Sequence, residues 1–160
     1  MILSVTLNPC LDKTLDVPAW RPGDNVRGVA SREVVGGKGN NVARALQRLG
    51  RVARPVSFFG GPLAEHCLDL LRTSDRLDPV AITTHAPTRV ILTVRTVGDP
   101  TAEPTAFFDP DPEISGDEAE ALHRAVEVTL ASTPVQALTL SGSSPCRATD
   151  SLYSDLIALA

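Results

Sequence analysis

The sequence predicts an α/β domain built on a largely parallel sheet, and three observations carry that prediction. Short apolar, β-prone runs stand at 2–7 (ILSVTL), 52–59 (VARPVSFF) and 135–140 (VQALTL). Segments of helical period lie between them, the clearest being Val42, Ala45, Leu46 and Leu49, spaced by three and four. Strands alternating with helices form crossover units, and crossover units make parallel sheets. At 160 residues the chain is the length of one domain and can bury a core.

Each element has its own signal. The run 2–7 is a buried first strand, ended by the turn-forming Asn8-Pro9 and followed by a polar loop, NPCLD. Runs at 13–18 and 26–35 flank Arg21-Pro22-Gly23-Asp24 and mix valines with charges, as exposed strands with one covered face do. A helix follows Gly36-Gly37-Lys38-Gly39-Asn40-Asn41 and stops at Gly50. The strand at 52–59 contains Pro55, which has no N–H for a ladder. A second helix is read over Pro62–Leu71, strands at 79–84, 88–97 and 105–108, and a Pro- and Asp-rich loop over 99–113. Ser115 with Glu118 forms a capping-box pattern that opens a helix to about Ala131. The strand at 135–140 leads through Ser141-Gly142-Ser143-Ser144-Pro145 to a last helix marked by Leu152, Leu156 and Leu159. Four runs, 13–18, 26–35, 88–97 and 105–108, do not alternate with helices and are expected to form a separate antiparallel layer.

Composition excludes several function classes. The formal net charge is −4 and aromatics are 4% of residues, which argues against a basic nucleic-acid binder and against a base-stacking platform. No apolar stretch is long enough to span a membrane, and the first residues lack the pattern of a signal peptide. Cys10, Cys67 and Cys146 are odd in number and far apart, without a CxxC pair, so neither a disulfide framework nor a zinc site is indicated. A reducing cytoplasmic compartment is the expectation. His66, His85 and His123 share no metal-ligand spacing, and no GxSxG elbow is present.

The sharpest local feature is GGKGNN. Glycines leading into a helix leave backbone N–H groups free, the helix dipole adds positive potential, and Lys38 adds an ammonium. The stretch is either an anion site or a Gly-rich turn with a solvated lysine; its spacing matches neither a Walker A loop nor a dinucleotide fingerprint. Asp12, in the loop after the first strand, is either an acceptor for sugar hydroxyls or a turn-forming residue beside Lys13. Ser141-Gly142-Ser143 holds a comparable position after the strand at 135–140, as a ligand loop or an ordinary turn. Arg27 and Arg89, both within presumed exposed strands, either clamp a phosphate or are solvated. Cys10 is either a reactive thiol or a small buried residue.

Taken together, these residues resemble the PfkB (ribokinase-like) carbohydrate kinases. Asn8-Pro9-Cys10-Leu11-Asp12 resembles that family's NPALD opening, and Gly36 to Leu46 resembles its GGKGxNVARAL signature. Thr88-Arg89 resembles its TR strand, and Ser141-Gly142-Ser143 its SGS loop. The lysine of GGKG and the opening TLNPxLDKT point to the sugar-phosphate branch, nearest to 1-phosphofructokinase. The resemblance implies a ribokinase-like fold with a small β-lid over the sugar, the lid being the four non-alternating runs. It implies that Asp12 binds sugar hydroxyls, that Gly37 and Asn41 line the sugar site, and that Lys38, Arg27, Arg89 and Ser143 hold the phosphate already on the substrate. It further implies a small-molecule sugar-phosphate substrate, most simply fructose 1-phosphate going to fructose 1,6-bisphosphate, ATP and Mg2+ as co-reactants, and a homodimer formed through the lid.

The sequence departs from that pattern. Ile91 stands where the TR strand usually carries Asn, SGSSPCR stands for SGSLPPG, and the segment around Thr73–Pro79 is short. The family's GAGD signature, with its catalytic Asp, is not present, so the catalytic base and nucleotide site are expected beyond residue 160. The expectation is an N-terminal part of a kinase domain, inactive alone. The rivals are a non-catalytic sugar-phosphate-binding module and a degenerate product without a stable fold.

Overall fold

A computed structural model of the chain describes residues 1–99 and 101–160. It contains two four-stranded sheets. The first joins β1 (Ile2–Thr6), β4 (Ala53–Gly60), β5 (Val80–Thr84) and β8 (Ala137–Leu140) in the order β5-β4-β1-β8, parallel throughout. The second joins β2 (Cys10–Val17), β3 (Ala30–Gly36), β6 (Arg89–Thr96) and β7 (Thr105–Phe108) in the order β3-β2-β6-β7. Four helices accompany them: α1 (Lys38–Arg48), α2 (Ala64–Asp69), α3 (Gly116–Ser132) and α4 (Leu152–Leu159).

The parallel sheet is covered on both faces, and the alternation of its strands says with what. Leu3, Val5 and Leu7 with Val56 and Phe58 pack against Leu122 and Val126 of α3 and Leu152 and Leu156 of α4. The alternate residues face α1 and α2, where Ala53 and Phe59 join Ala43, Cys67, Leu68 and Leu71. On this face β1 and β4 also present the fully buried Ser4, Thr6 and Ser57. Small hydroxyl residues there let the first turn of α1 lie directly on β1. A Cβ on Gly39 would collide with Thr6 Oγ1 and come within 2.5 Å of the Val5 carbonyl oxygen, so only glycine fits.

Asn40, also fully buried, ties the contact together. Its Nδ2 donates to Gly36 O at 2.9 Å, its Oδ1 accepts from Ser57 Oγ at 3.1 Å, and its N–H donates to Thr6 Oγ1 at 2.9 Å. Ser4 Oγ donates to Gly39 O at 2.8 Å and itself accepts from Thr139 Oγ1 at 2.8 Å. The seam thus links β1, β3, β4, β8 and α1 through satisfied polar groups.

Several boundaries differ from the sequence reading. Cys10–Asp12 is strand, not loop: the chain bends at Leu7-Asn8, β2 starts directly after Pro9, and Leu11 at once packs with Val35 and Val90. The run read as 26–35 begins at Ala30, which leaves Arg27 in a loop. The second sheet is mixed, not antiparallel, because its central pair β2–β6 is parallel while β3 and β7 run antiparallel to them. The helix read over 62–71 is a 3-10 turn (Gly61–Leu63), the short α2, and a π turn (Leu70–Ser74). Pro55 sits inside the sheet without harm. Ile2 N–H donates to Val52 O, so residues 52, 54 and 56 face β1 while Pro55 faces β5, whose pairing starts only at Val56↔Val80. Both helix signals held: Gly50 closes α1 with a positive φ and paired 5→2 and 6→1 bonds, and Ser115 caps α3 with a reciprocal Glu118 contact.

Asn40→Ala removes both bonds made by the Asn40 side chain and takes those partners from Ser57 Oγ and Gly36 O. The expected loss is about 2–4 kcal/mol. Asn41→Ala, on the exposed side of the same turn, is expected to cost about 0.5 kcal/mol or less. Urea unfolding of the two variants checks the contrast.

Candidate functional site

The chain leaves β1 for β4 and β5 on one side and returns to β8 on the other, so the strand order switches beside β1. Open α/β sheets bind ligands outside the carboxyl ends of their strands at such a point. Here those ends supply Asn8 after β1 and Ser141-Gly142-Ser143 after β8.

Asn8 is 4% exposed. Its Nδ2 donates to Asp111 Oδ1 at 2.9 Å and lies 3.3 Å from Ser143 Oγ. Arg89 opens β6 beside it, positioned by the preceding Thr88. That residue's N–H donates to Gly60 O at 2.8 Å, while its Oγ1 accepts from Gly60 N–H at 3.0 Å. Arg89 Nη1 donates to the same Asp111 Oδ1 at 2.8 Å, and Nη2 lies 3.4 Å from Asn8 O. Two buried atoms of this group, Asn8 Oδ1 and Arg89 Nε, have no partner among the described residues. One is an acceptor and the other a cationic donor. Buried polar atoms of this kind ordinarily find partners, so the pair is unusual.

The start of α1 forms the opposite wall. Gly37 has φ 105°, and a Cβ on it would stand 2.6 Å from Thr6 Cγ2 and 3.2 Å from Pro9 Cα, so the loop packs tightly on the Asn8-Pro9 turn. Asn40 and Asn41 N–H groups are taken by Thr6 Oγ1 and Gly37 O, leaving the first-turn N–H groups of Lys38 and Gly39 outside the helix ladder. Lys38 is exposed. Gly142 faces it: a Cβ there would lie 3.8 Å from Lys38 Cβ and 3.8 Å from the Tyr153 hydroxyl. That hydroxyl donates to Ser141 O at 2.9 Å and fixes the loop after β8.

Asp12 lies in β2, in register with Val34 and Ile91, on the face it shares with Arg89 and Gly36. Burial raises its pKa above the usual carboxylate range, against the opposing pull of the Cys10 thiol contact and of Arg89 and Arg44. Its strand neighbours Val34 and Ile91, and Phe108 beyond Ile91, are hydrocarbon. The Cys10 thiol, 3.6 Å from Asp12 Oδ1, is pushed up to about 12 by burial and by the Asp12 charge, which makes it a small buried residue and not a nucleophile.

Gly37, Ser143 and Arg89 thus meet at the Asn8-Pro9 turn, Lys38 lies beside Gly142, and Asp12 shares a sheet face with Arg89. Asn41 has its Oδ1 engaged by Arg44 Nη1 at 2.6 Å. Arg44 is itself held bidentately by Asp75 at 2.7 Å and by Val35 O at 2.7 Å, so it braces α1 against β3 and the segment after α2. Arg27 is not brought in. It is exposed in the loop before β3, and Val29 N–H, bonded to Asp16 O, fixes that loop at the far end of β2. From Asp12 to Asp16 is roughly 13 Å along an extended strand. Asn8 and Asp111 were missed as site residues. The Asn-Pro dipeptide reads as a turn, and Asp111 comes from a Pro- and Asp-rich loop whose course depends on pairing. Asp109 exchanges bonds with Val90, carrying Asp111 to the start of β6.

The model of the pfkB family carbohydrate kinases matches residues 5–160. The chain belongs to that family. Its fold is similar to a possible 1-phosphofructokinase from Thermotoga maritima, at 26% identity and TM-score 0.88, over 100% of this chain and 50% of that one. It is also similar to phosphofructokinase-2 from Escherichia coli in its tetrameric inhibited form, at 29% identity and TM-score 0.85, over 99% and 50%. The same enzyme in complex with fructose-6-phosphate matches at 29% identity and TM-score 0.84, over 98% and 50%. The chain thus spans about half the length of these solved pfkB-family relatives. Among the described residues no helix is long and apolar enough to cross a membrane.

The raised pKa of Asp12 gives a signed prediction. The folded chain holds the Asp12 proton more tightly than the unfolded chain does. That contribution to stability is full below the ordinary value of 3.8 and is lost as pH rises through the folded value. Asp12→Asn is therefore expected to melt higher than the parent at pH 7. The difference should close below about pH 3.8. Melting curves across pH check it.

Proposed function

We propose that these 160 residues form the acceptor half of a sugar-phosphate kinase, with fructose 1-phosphate the first-choice substrate. The observation that carries the reading is the pair of orphaned buried atoms, Asn8 Oδ1 and Arg89 Nε, at the switch point beside the α1 N-terminus. A ligand carrying a hydroxyl and an anionic oxygen would satisfy both once the side chains covering them part. The phosphate ester already on the sugar lies between Lys38, Arg89, Ser143 and the first-turn N–H groups of α1. Asp12 accepts from sugar hydroxyls, with Gly37 and Asn41 lining the ring. The net negative chain does not oppose this, because the local field at the crevice is cationic.

The second sheet acts as the lid over that crevice. The face turned away from Asp12 carries Leu15, Leu92, Val94 and Phe107, the last 53% exposed, and this supports a lid-to-lid homodimer. Arg27 keeps a phosphate role only as a residue delivered by a second copy, since within one chain it sits at the other end of β2.

ATP and Mg2+ serve the whole kinase. No phosphoryl step is routed through these residues. The role assigned to these residues is to bind the acceptor, orient it and exclude water. Binding without turnover by the 160 residues is the corollary.

Calorimetry tests the reading. Lys38→Ala and Arg89→Ala should each weaken fructose 1-phosphate binding by about 1.5–3 kcal/mol while leaving fructose binding nearly unchanged. A coupled assay with ATP should show no turnover. Equal loss for the neutral and phosphorylated sugars would remove both cations from the phosphate site, and measurable turnover would place the catalytic base within these residues.

A further inference from the structure

Asp111 holds the position that an anionic ligand oxygen would take. Its Oδ1 accepts from Arg89 Nη1 at 2.8 Å and from Asn8 Nδ2 at 2.9 Å, and that Asn8 nitrogen is also 3.3 Å from Ser143 Oγ. These are the lengths of charge-assisted bonds. The two partners differ in burial: the Arg89 side chain is 13% exposed and the Asp111 side chain 47%. The cation is built into the crevice, and the carboxylate reaches it from solvent. Its backbone is fixed on either side. Asp109 is tied to Val90, and Ser115 caps α3. Rotation of the Asp111 side chain alone would open Arg89.

Resting on the reading of this crevice as a phosphate site, we infer that Asp111 is a resident competitor for the anion and sets the affinity of the site. A phosphate oxygen that approaches Arg89 Nη1 and Asn8 Nδ2 meets a carboxylate at hydrogen-bond distance, and like charges so close cannot share the donors. The ligand binds only as Asp111 swings out. Because the pair is partly exposed, its own attraction is modest and a phosphate dianion displaces it. Arg89 Nε, which Asp111 does not reach, is buried without a partner among the described residues.

The test uses the 160-residue chain with inorganic phosphate, fructose 1-phosphate and fructose as probes. Asp111→Asn should tighten Kd for the two phosphates about tenfold and leave fructose unchanged. Glu120→Gln, an exposed charge change on α3, controls for net charge and should alter none of the three. Tightening by both variants alike, or by neither, overturns the inference, as does the absence of phosphate binding in parent and variant. Parent binding of fructose 1-phosphate that Asp111→Asn fails to tighten sinks the inference and leaves the site reading standing. An Asp111→Asn chain that gains phosphate but binds fructose 1-phosphate no better than phosphate keeps the inference and sinks the sugar reading. A ligand-free readout covers a variant with altered stability. Rotation of the Arg89 guanidinium, seen in its nitrogen resonances, should be slow in the parent and faster in Asp111→Asn and Asp111→Ala. Equal rotation in all three contradicts the inference.

Discussion

The buried carboxamide of Asn40 is the constraint to which the crevice is referred. It bonds β3 through Gly36 O and β4 through Ser57 Oγ, while its backbone N–H holds Thr6 of β1. Three strands from two sheets are thereby registered against the first turn of α1. The hydroxyl residues of β1 and β4 are small enough for the helix to approach and polar enough to satisfy what it brings. An apolar β1 face would have held α1 further out, away from the Asn8-Pro9 turn. The position of Gly37 and Lys38 relative to Asn8 and Ser143 follows from this one contact.

Charge at the crevice is arranged by burial as much as by sign. Arg89 is driven into the interior by the Thr88–Gly60 clamp and keeps an unpartnered Nε. Burial holds the Asp12 pKa above its ordinary value, with Arg89 and Arg44 pulling the other way. Both are costs to the folded chain that packing elsewhere offsets, as is usual where a site is prepared for a ligand. Asp111 relieves part of the Arg89 cost from outside.

Much of this was legible in the sequence, and the rest failed for identifiable reasons. The alternation of ILSVTL, VARALQRL and VARPVSFF gave the parallel sheet, and local rules located the ends of α1 and α3 because caps are made by neighbours in sequence. GGKG marked the start of α1. What local rules miss is pairing between distant segments. Cys10–Asp12 looked like loop because Asn-Pro precedes it, yet β6 and β3 on either side make it strand. Asp111 looked like a solvated loop residue because nothing near it in sequence names Arg89. Arg27 was placed with Arg89 by type, and only the register of β2 shows how far apart they sit. Pro55 looked disruptive because sequence does not say which side of a strand its nitrogen faces.

The central claim is that the α1 N-terminus and the loop after β8 close on one anionic ligand. The most direct measurement is a backbone amide resonance titration of the chain with fructose 1-phosphate. The largest shifts should fall on Gly37, Lys38, Gly39, Gly142 and Ser143, with Arg89 following. Saturation that leaves these amides unmoved, or that moves instead the outer face of α1 around Arg44 and Arg48, would contradict it.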